Sequence, residues 1–191
     1  MSVQQHFVFQ NLEAISDEVA GPEQAELFGT AKANLGLVPN MYRSMANSPA
    51  LLRSYLKSYS EFRENSKLSP IEQEVVFLTI SKDNGCQYCL AAHSMIADKV
   101  AQMPATLLSA LRSGGAIDDS KLSALRELTI ELNQSRGRPS EAVVAKAFAE
   151  GYEEEVVLAI LVAISAKTLS NYSNHLFANK LDDAFMDYSL G

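Results

Sequence analysis

The sequence contains no tryptophan, only two cysteines, and no long hydrophobic run. Two cysteines in 191 residues are too few for the disulfide framework of a small secreted domain. The longest apolar run, Val156 to Ile164, is shorter than the roughly 20 residues that a helix needs to cross a bilayer. The opening MSVQQHFVFQ lacks the basic and apolar regions of a secretory signal. We therefore expect a cytoplasmic protein with no membrane partner.

Positive charge is also scarce. The chain has 16 Lys and Arg against 23 Asp and Glu, which gives a formal net charge of −7. No cluster of basic residues interrupts this balance, and a protein that follows nucleic-acid phosphates needs such a cluster. We therefore expect no nucleic-acid partner. The hydrophobic content of 47% is too high for a disordered chain and fits one globular domain.

The six prolines and nine glycines stand mostly where helices would begin or end. Ser69-Pro70-Ile71-Glu72 is a capping box, and Gly36 and Gly114 follow helical segments. Apolar residues between these signals recur at helical spacing, and no segment alternates as a strand would. We predict an all-α helical bundle, with helices over about 22–35, 39–45, 49–62, 70–83, 86–102, 104–113, 119–133, 140–150 and 153–173.

Two parts of the chain resemble each other. Residues 71–76 are similar to residues 152–157, and 19 or 20 residues after the matched glutamate of each segment stands a histidine, His93 or His175. The second copy lacks the cysteines. We predict a single domain over residues 1–191 made of two pseudo-symmetric halves, a Cys-containing core at about 49–103 and a degenerate half at about 117–180, each with a related helical hairpin.

Both cysteines lie in the segment NGCQYCLAAH, residues 84–93. A helix that starts near Cys86 would lower the pKa of this thiol through the positive end of the helix. Cys89 lies one turn further on, within disulfide reach. His93 follows Cys89 by four residues, so the two side chains are neighbours on one helix face, and the imidazole can accept the thiol proton. The spacing predicts an activated thiol, a disulfide partner and a proton carrier.

Glu74 lies in an apolar run, so its carboxylate is expected to be buried and to need a partner. It is a candidate base or proton relay, or one half of a structural salt bridge. Three interpretations of the cysteines remain open at this point: an active pair, two inert core residues, or a zinc site of Cys86, Cys89 and His93 completed by Glu74 or His175. Sequence spacing alone does not place Glu74 beside Cys89.

Taken together, these residues resemble a known family. The similarity is to the alkylhydroperoxidase D-like branch of the carboxymuconolactone decarboxylase family, in which a glutamate precedes the first cysteine by twelve residues, as Glu74 does here. It covers roughly residues 22–177, including segments typical of the longer, peroxidase-related members. The matching segments are Leu35-Gly36-Leu37-Val38-Pro39-Asn40, Ser48-Pro49, Leu68-Ser69-Pro70, Glu74, Cys86-Gln87-Tyr88-Cys89, His93 and Asn171-Tyr172-Ser173-Asn174-His175.

The resemblance implies a fold of two pseudo-symmetric halves that assembles into homo-oligomers, either trimers or hexamers. It also implies the activity of a thiol peroxidase that uses no cofactor and no metal. Glu74 and His93 would relay protons to Cys89, and the Cys89 thiolate would attack the peroxide and become a sulfenic acid. Cys86, expected to be the more exposed thiol, would then close the disulfide. An external dithiol or thiol protein would reduce it. The alternative functions are a redox-sensing or disulfide-exchange module and an inert scaffold.

Overall fold

The computed structural model describes Val8, Phe9 and residues 11–189. These residues form nine α-helices and one 3₁₀ helix and contain no strand, which confirms the all-α prediction. The helices are α1 (Pro22–Leu35), α2 (Asn40–Met45), α3 (Pro49–Asn65), α4 (Pro70–Asp83), α5 (Gln87–Lys99), α6 (Ala105–Ser113), α7 (Ser120–Gln134), α8 (Glu141–Ala149), α9 (Glu154–Phe177) and the 3₁₀ helix Asp183–Tyr188.

The predicted start and stop signals act as expected. The Ser69 side chain accepts a hydrogen bond from the Glu72 backbone N–H, and the Glu72 carboxylate accepts one from the Ser69 N–H. Gly36 and Gly114 end α1 and α6 in the left-handed conformation, with φ of 76° and 84°. Three ends differ from the prediction by three or four residues. α3 continues to Asn65. α5 stops earlier, at Lys99, and α9 continues for one more turn, to Phe177.

The core lies around α4 and α9. α9 packs along α3 and also contacts α2, α4, α5 and α7. α4 is enclosed on all sides, since every residue from 73 to 81 is buried. A helix surrounded in this way cannot turn a polar face to solvent, so its polar side chains must find partners inside the protein.

The predicted hairpin of the second copy is wrong. α4 and α5 are separated by a break at Asn84-Gly85, where Gly85 adopts a φ of 70°, whereas the matching segment is the uninterrupted helix α9. Its residues Glu155 and His175 are exposed, so they do not form a second copy of the thiol site. The division into two halves remains a prediction.

α9 has the length and composition of a membrane span, with a mean hydropathy of 1.5 over its most apolar 18-residue window. In the described structure 44% of that window is buried against the other helices. A core helix of a globular protein has the same length and composition, so α9 alone does not indicate a membrane protein.

The capping box at the start of α4 offers a test of the fold. Ser69→Ala removes the side-chain acceptor for the Glu72 N–H, and we expect it to lower the free energy of unfolding by about 1 kcal/mol. Urea denaturation of both proteins measures this difference. Ser58→Ala is the matched control, because Ser58 hydrogen-bonds only to the Ser54 carbonyl within α3. An equal loss in both variants would contradict the capping role.

Candidate active site

The two cysteines occupy the first turn of α5. Cys86 is the N-cap residue, and Cys89 follows inside the helix. Both thiols are free, and each residue is only 2% exposed. The expectation that Cys86 is the more exposed thiol is therefore wrong. The backbone break at Asn84-Gly85 brings the start of α5 back against the core, so neither thiol faces solvent.

The structure joins Glu74 to His93. Glu74 is fully buried on α4, and its Oε2 lies 2.9 Å from Nδ1 of His93 on α5. Its Oε1 forms an ion pair with Arg63 of α3. Arg63 also donates hydrogen bonds to the Tyr59 hydroxyl at 2.9 Å and to the Gln73 amide oxygen at 3.1 Å. One carboxylate thus connects three helices, and Arg63 is a partner that the sequence did not reveal.

The protonation states of Glu74 and His93 determine whether His93 can accept a proton. Burial raises the pKa of Glu74, but His93 and Arg63 outweigh it, so the pKa lies below its ordinary value and the group is a carboxylate. Burial and the charge of Lys167 lower the pKa of His93, against the opposing effect of Glu74, so the imidazole is neutral. A carboxylate can only accept, so His93 carries its proton on Nδ1 and donates it to Glu74. Nε2 therefore keeps a lone pair and can accept a proton.

The two thiols differ strongly in acidity. Burial raises the pKa of Cys89, but a hydrogen bond from Cys86 and the charge of Lys167 bring it well below the usual value. The pKa of Cys86 is raised, first by that hydrogen bond and then by burial. The helix end was expected to lower the pKa of Cys86, and this expectation is wrong because the neighbouring Cys89 anion outweighs it. Cys89 is the thiolate of the pair.

Lys167 is a charged residue that lowers the pKa of this thiolate. It lies on α9, is 1% exposed, and forms no salt bridge or side-chain hydrogen bond within residues 11–189. Its Nζ lies 5.4 Å from the centre of the Phe77 ring. One feature of the sequence could have identified Lys167 as a functional residue. Lys167 is the only Asp, Glu, Lys or Arg residue between Glu155 and Lys180, and a lone lysine in an apolar helix indicates a functional or paired charge.

Asn174 is a second residue of α9 that reaches the cysteines. Its Nδ2 lies 3.3 Å from the Cys89 sulfur and 3.7 Å from the Cys86 sulfur. The Asn179 side chain donates a 2.8 Å hydrogen bond to the Asn174 amide oxygen, and Ser44 donates to Asn179 in turn. These two hydrogen bonds determine that the Asn174 amide nitrogen, and not its oxygen, faces the sulfurs. Sequence reasoning noted Asn174 only within a family-like segment.

A cavity of about 290 Å³ opens next to Cys89. Its walls are mainly aromatic and aliphatic, and none of the Asp and Glu residues in the described part of the chain contributes to them. The residues that matter chemically are Tyr42, Tyr55, Tyr59, Tyr88, Cys89, His93 and Lys167. Burial raises the pKa of each of these four tyrosines, so they are neutral. The cavity is suited to a compact, largely apolar molecule that meets the sulfur of Cys89.

Residues distant in sequence close one wall of the cavity. The Tyr88 hydroxyl donates to the Asp182 carboxylate, whose other oxygen accepts a 3.0 Å hydrogen bond from the Asn40 backbone N–H. The Phe185 ring packs edge-on against Tyr88 with 5.9 Å between ring centres. The segment after α9 thus covers the start of α5.

The zinc interpretation receives no support from the geometry. Within residues 11–189, no group of three or more His, Cys, Asp and Glu side chains is arranged to hold a metal ion. His175, one proposed fourth ligand, is exposed, and Glu74 is already paired with Arg63 and His93.

Comparison with known proteins agrees with this architecture. Residues 49–130 match the carboxymuconolactone decarboxylase family. A cysteine-to-alanine variant of the debrominase Bmp8, in complex with 2,3,4-tribromopyrrole, superposes with a TM-score of 0.78 at 17% identity, over 96% of this chain and 97% of that one. A search of curated proteins finds no match.

Two peroxidase-related proteins are also similar. One, from Silicibacter sp. TM1040, has a TM-score of 0.72 at 20% identity and covers 92% of this chain and 95% of its own. The other, an alkylhydroperoxidase AhpD core protein from Ralstonia eutropha JMP134, has a TM-score of 0.70 at 18% identity over 90% and 88%. The family match and the shared fold confirm the resemblance predicted from the motif.

The Asn174 contact makes a measurable prediction. Asn174→Leu keeps the volume of the side chain and removes the N–H donor, so we expect the pKa of Cys89 to rise. Thiolate absorbance followed as a function of pH measures it. In the native protein the thiolate persists below the ordinary thiol pKa and disappears only as the pH falls through the depressed pKa of Cys89; in the variant this loss should begin at higher pH.

Asn171→Leu is the matched control. Asn171 lies one turn earlier on α9, is equally buried, and contacts Asn84 rather than a sulfur. An unchanged titration in Asn174→Leu, or an equal shift in both variants, would contradict a specific effect of Asn174 on the thiolate.

Proposed function

We propose that this chain, whose residues 49–130 match the carboxymuconolactone decarboxylase family, is a thiol peroxidase that reduces a small peroxide through a disulfide cycle of Cys86 and Cys89. The observation that carries the proposal is the position of the low-pKa Cys89 thiol in the wall of a 290 Å³ cavity that His93 also lines. A resting thiolate, a second thiol and a proton carrier are the parts that such a cycle requires.

In the first step the Cys89 thiolate attacks the O–O bond of the peroxide. The S–O bond forms as the O–O bond breaks, giving a Cys89 sulfenic acid and an alcohol or water. The leaving oxygen needs a proton, which the neutral His93 imidazole takes up from solvent at Nε2 and passes to that oxygen. Glu74 stabilises the imidazolium that exists during the transfer, since it accepts the Nδ1 hydrogen bond at 2.9 Å. The ion pair with Arg63 keeps Glu74 ionised.

In the second step Cys86 attacks the sulfenic acid, a disulfide forms and water leaves. The raised pKa of Cys86 is caused first by its hydrogen bond to Cys89 and also by repulsion from the Cys89 charge. Once Cys89 is a neutral sulfenic acid, both effects end, and Cys86 loses its proton more easily. Oxidation of one sulfur thereby activates the other. An external dithiol then reduces the disulfide.

Burial of the pair favours this function over disulfide exchange with a protein partner. Each cysteine is 2% exposed, and the Cys89 sulfur borders a cavity of small-molecule size. A small peroxide can enter such a cavity, whereas a folded protein dithiol would need part of the structure to open. Fast exchange with a protein dithiol and slow peroxide turnover would instead support a redox-sensing module.

The aromatic walls favour one further candidate, reductive dehalogenation of a small ring. Four tyrosines line the cavity, and the debrominase Bmp8 shares the fold. In this reaction the Cys89 thiolate would remove the halogen from a ring carbon that gains a proton. Cys86 would then displace halide from the sulfenyl halide and form the same disulfide. Two thiols are oxidised for each C–halogen bond replaced by C–H, and halide release distinguishes this reaction from peroxide reduction.

A thiol count tests the proposed cycle. Reduced protein is treated briefly with stoichiometric peroxide, alkylated and measured by intact mass. We expect both thiols of the native protein to become unavailable, and a single sulfenic acid to be trapped in Cys86→Ser but not in Cys89→Ser. Both variants should lose turnover with an external dithiol. Two thiols that still alkylate as before, or full turnover in either variant, would overturn the proposal.

The relay is tested by Glu74→Gln and His93→Gln. Both remove the proton transfer, and we expect peroxide turnover to fall about 10²-fold or more. Glu72→Gln is the control on the same helix, because its amide oxygen can still accept from the Ser69 N–H. Turnover and thermal unfolding are measured together, since Glu74→Gln also leaves Arg63 without its buried partner. A folded His93→Gln protein with native turnover would show that His93 carries no proton.

A further inference from the structure

Lys167 has an unusual environment for a lysine. It is 1% exposed and contributes to the wall of the cavity, and within residues 11–189 it has no carboxylate partner and no side-chain hydrogen bond. The Phe77 ring beside its Nζ supplies only a weak cation–π contact at 5.4 Å. A buried ammonium without a counter-charge is strongly unfavourable, so Lys167 favours an anion in the cavity beside it.

In the reduced protein the balancing charge is the Cys89 thiolate. After the hydrogen bond from Cys86, the charge of Lys167 has the largest lowering effect on the pKa of Cys89. The Glu74 carboxylate is matched by Arg63, and no Asp or Glu lines the cavity. With Cys89 as a thiolate and Lys167 as an ammonium, the cavity wall carries no net charge.

Disulfide formation removes this balance. The Cys89 thiolate and the Cys86 thiol give two electrons and one proton to the oxidant, and the new S–S bond is neutral. Lys167 then remains as a cation in an enclosed, largely apolar space. The chain as a whole is acidic, with a net charge of −7, so this local positive charge contrasts with its surroundings.

We propose that the oxidised form of the protein has an anion site at Lys167, which takes a small carboxylate with an apolar body, and that the Cys89 thiolate blocks this site in the reduced form. The apolar walls would hold the body of the ligand, and Lys167 Nζ would face its charged group. The inference rests on the proposed function only in that the proposed cycle produces the disulfide.

The site is tested by calorimetric titration with benzoate, and with benzamide as the neutral analogue of the same shape. The disulfide is made without any peroxide by diamide, a diazene that accepts two electrons from the pair, one proton from Cys86 and one proton from solvent. Loss of the alkylatable thiols verifies the oxidation. We expect benzoate to bind the oxidised protein about tenfold or more tightly than the reduced protein. Benzamide should show no preference between the two forms.

Lys167→Met should abolish the preference of benzoate for the oxidised protein, and Lys167→Arg should keep part of that preference. Lys121→Met changes a half-exposed surface lysine and should leave the preference unchanged. Equal benzoate affinity in both forms, a preference that persists in Lys167→Met, or a pair that diamide does not oxidise would overturn the inference. If Lys167→Met does not fold, the comparison of benzoate with benzamide on the native protein still decides. Absence of peroxide turnover with redox-dependent benzoate binding would refute the proposed enzyme activity and leave this site intact.

Discussion

The buried carboxylate of Glu74 is the constraint on which the site depends. It lies on α4, whose residues 73–81 are all buried, and it is ionised only because Arg63 and His93 approach it from α3 and α5. Breaking such a group by removing one partner costs about 3–5 kcal/mol. Three helices must therefore take one relative position, and that position orients His93 with its proton on Nδ1.

α9 supplies the second half of the site from the opposite direction. It is an apolar core helix, yet its buried side includes Lys167 and Asn174, which both act on Cys89. The two cysteines share one helical turn and the same burial, and they differ because the groups from α9 and the Cys86 hydrogen bond favour a charge on Cys89. In the proposed disulfide cycle this inequality sets the order of the steps, since the sulfur that carries the charge would react first.

Local signals in the sequence predict the helices and the α5 part of the site. The capping box, the glycine stops and the spacing of Cys86, Cys89 and His93 all act within a few residues, so they can be recognised without the fold. The partners of Glu74 and of the thiolate come from helices separated by a break or by most of the chain, and spacing does not determine such contacts. The hairpin predicted from the similarity between residues 71–76 and 152–157 is wrong for the same reason. Glu155 and His175 match in sequence, but α9 has no break such as Asn84-Gly85 between them, and both side chains are exposed.

The wall formed by Tyr88 and Asp182 has a consequence for the newly made chain. Synthesis proceeds from the N-terminus, so Cys86 and Cys89 leave the ribosome long before Asp182 and Phe185 can cover them. The helices that hold the thiols can begin to form from local contacts, but the contact between Asn40 and Asp182 joins residues 142 positions apart and must wait for the last part of the chain. During that interval the thiols lack both their cover and the charges of α9 that make Cys89 acidic. Cys89 therefore acquires its low pKa only as it becomes enclosed, and an unfinished chain holds two ordinary thiols rather than a reactive one.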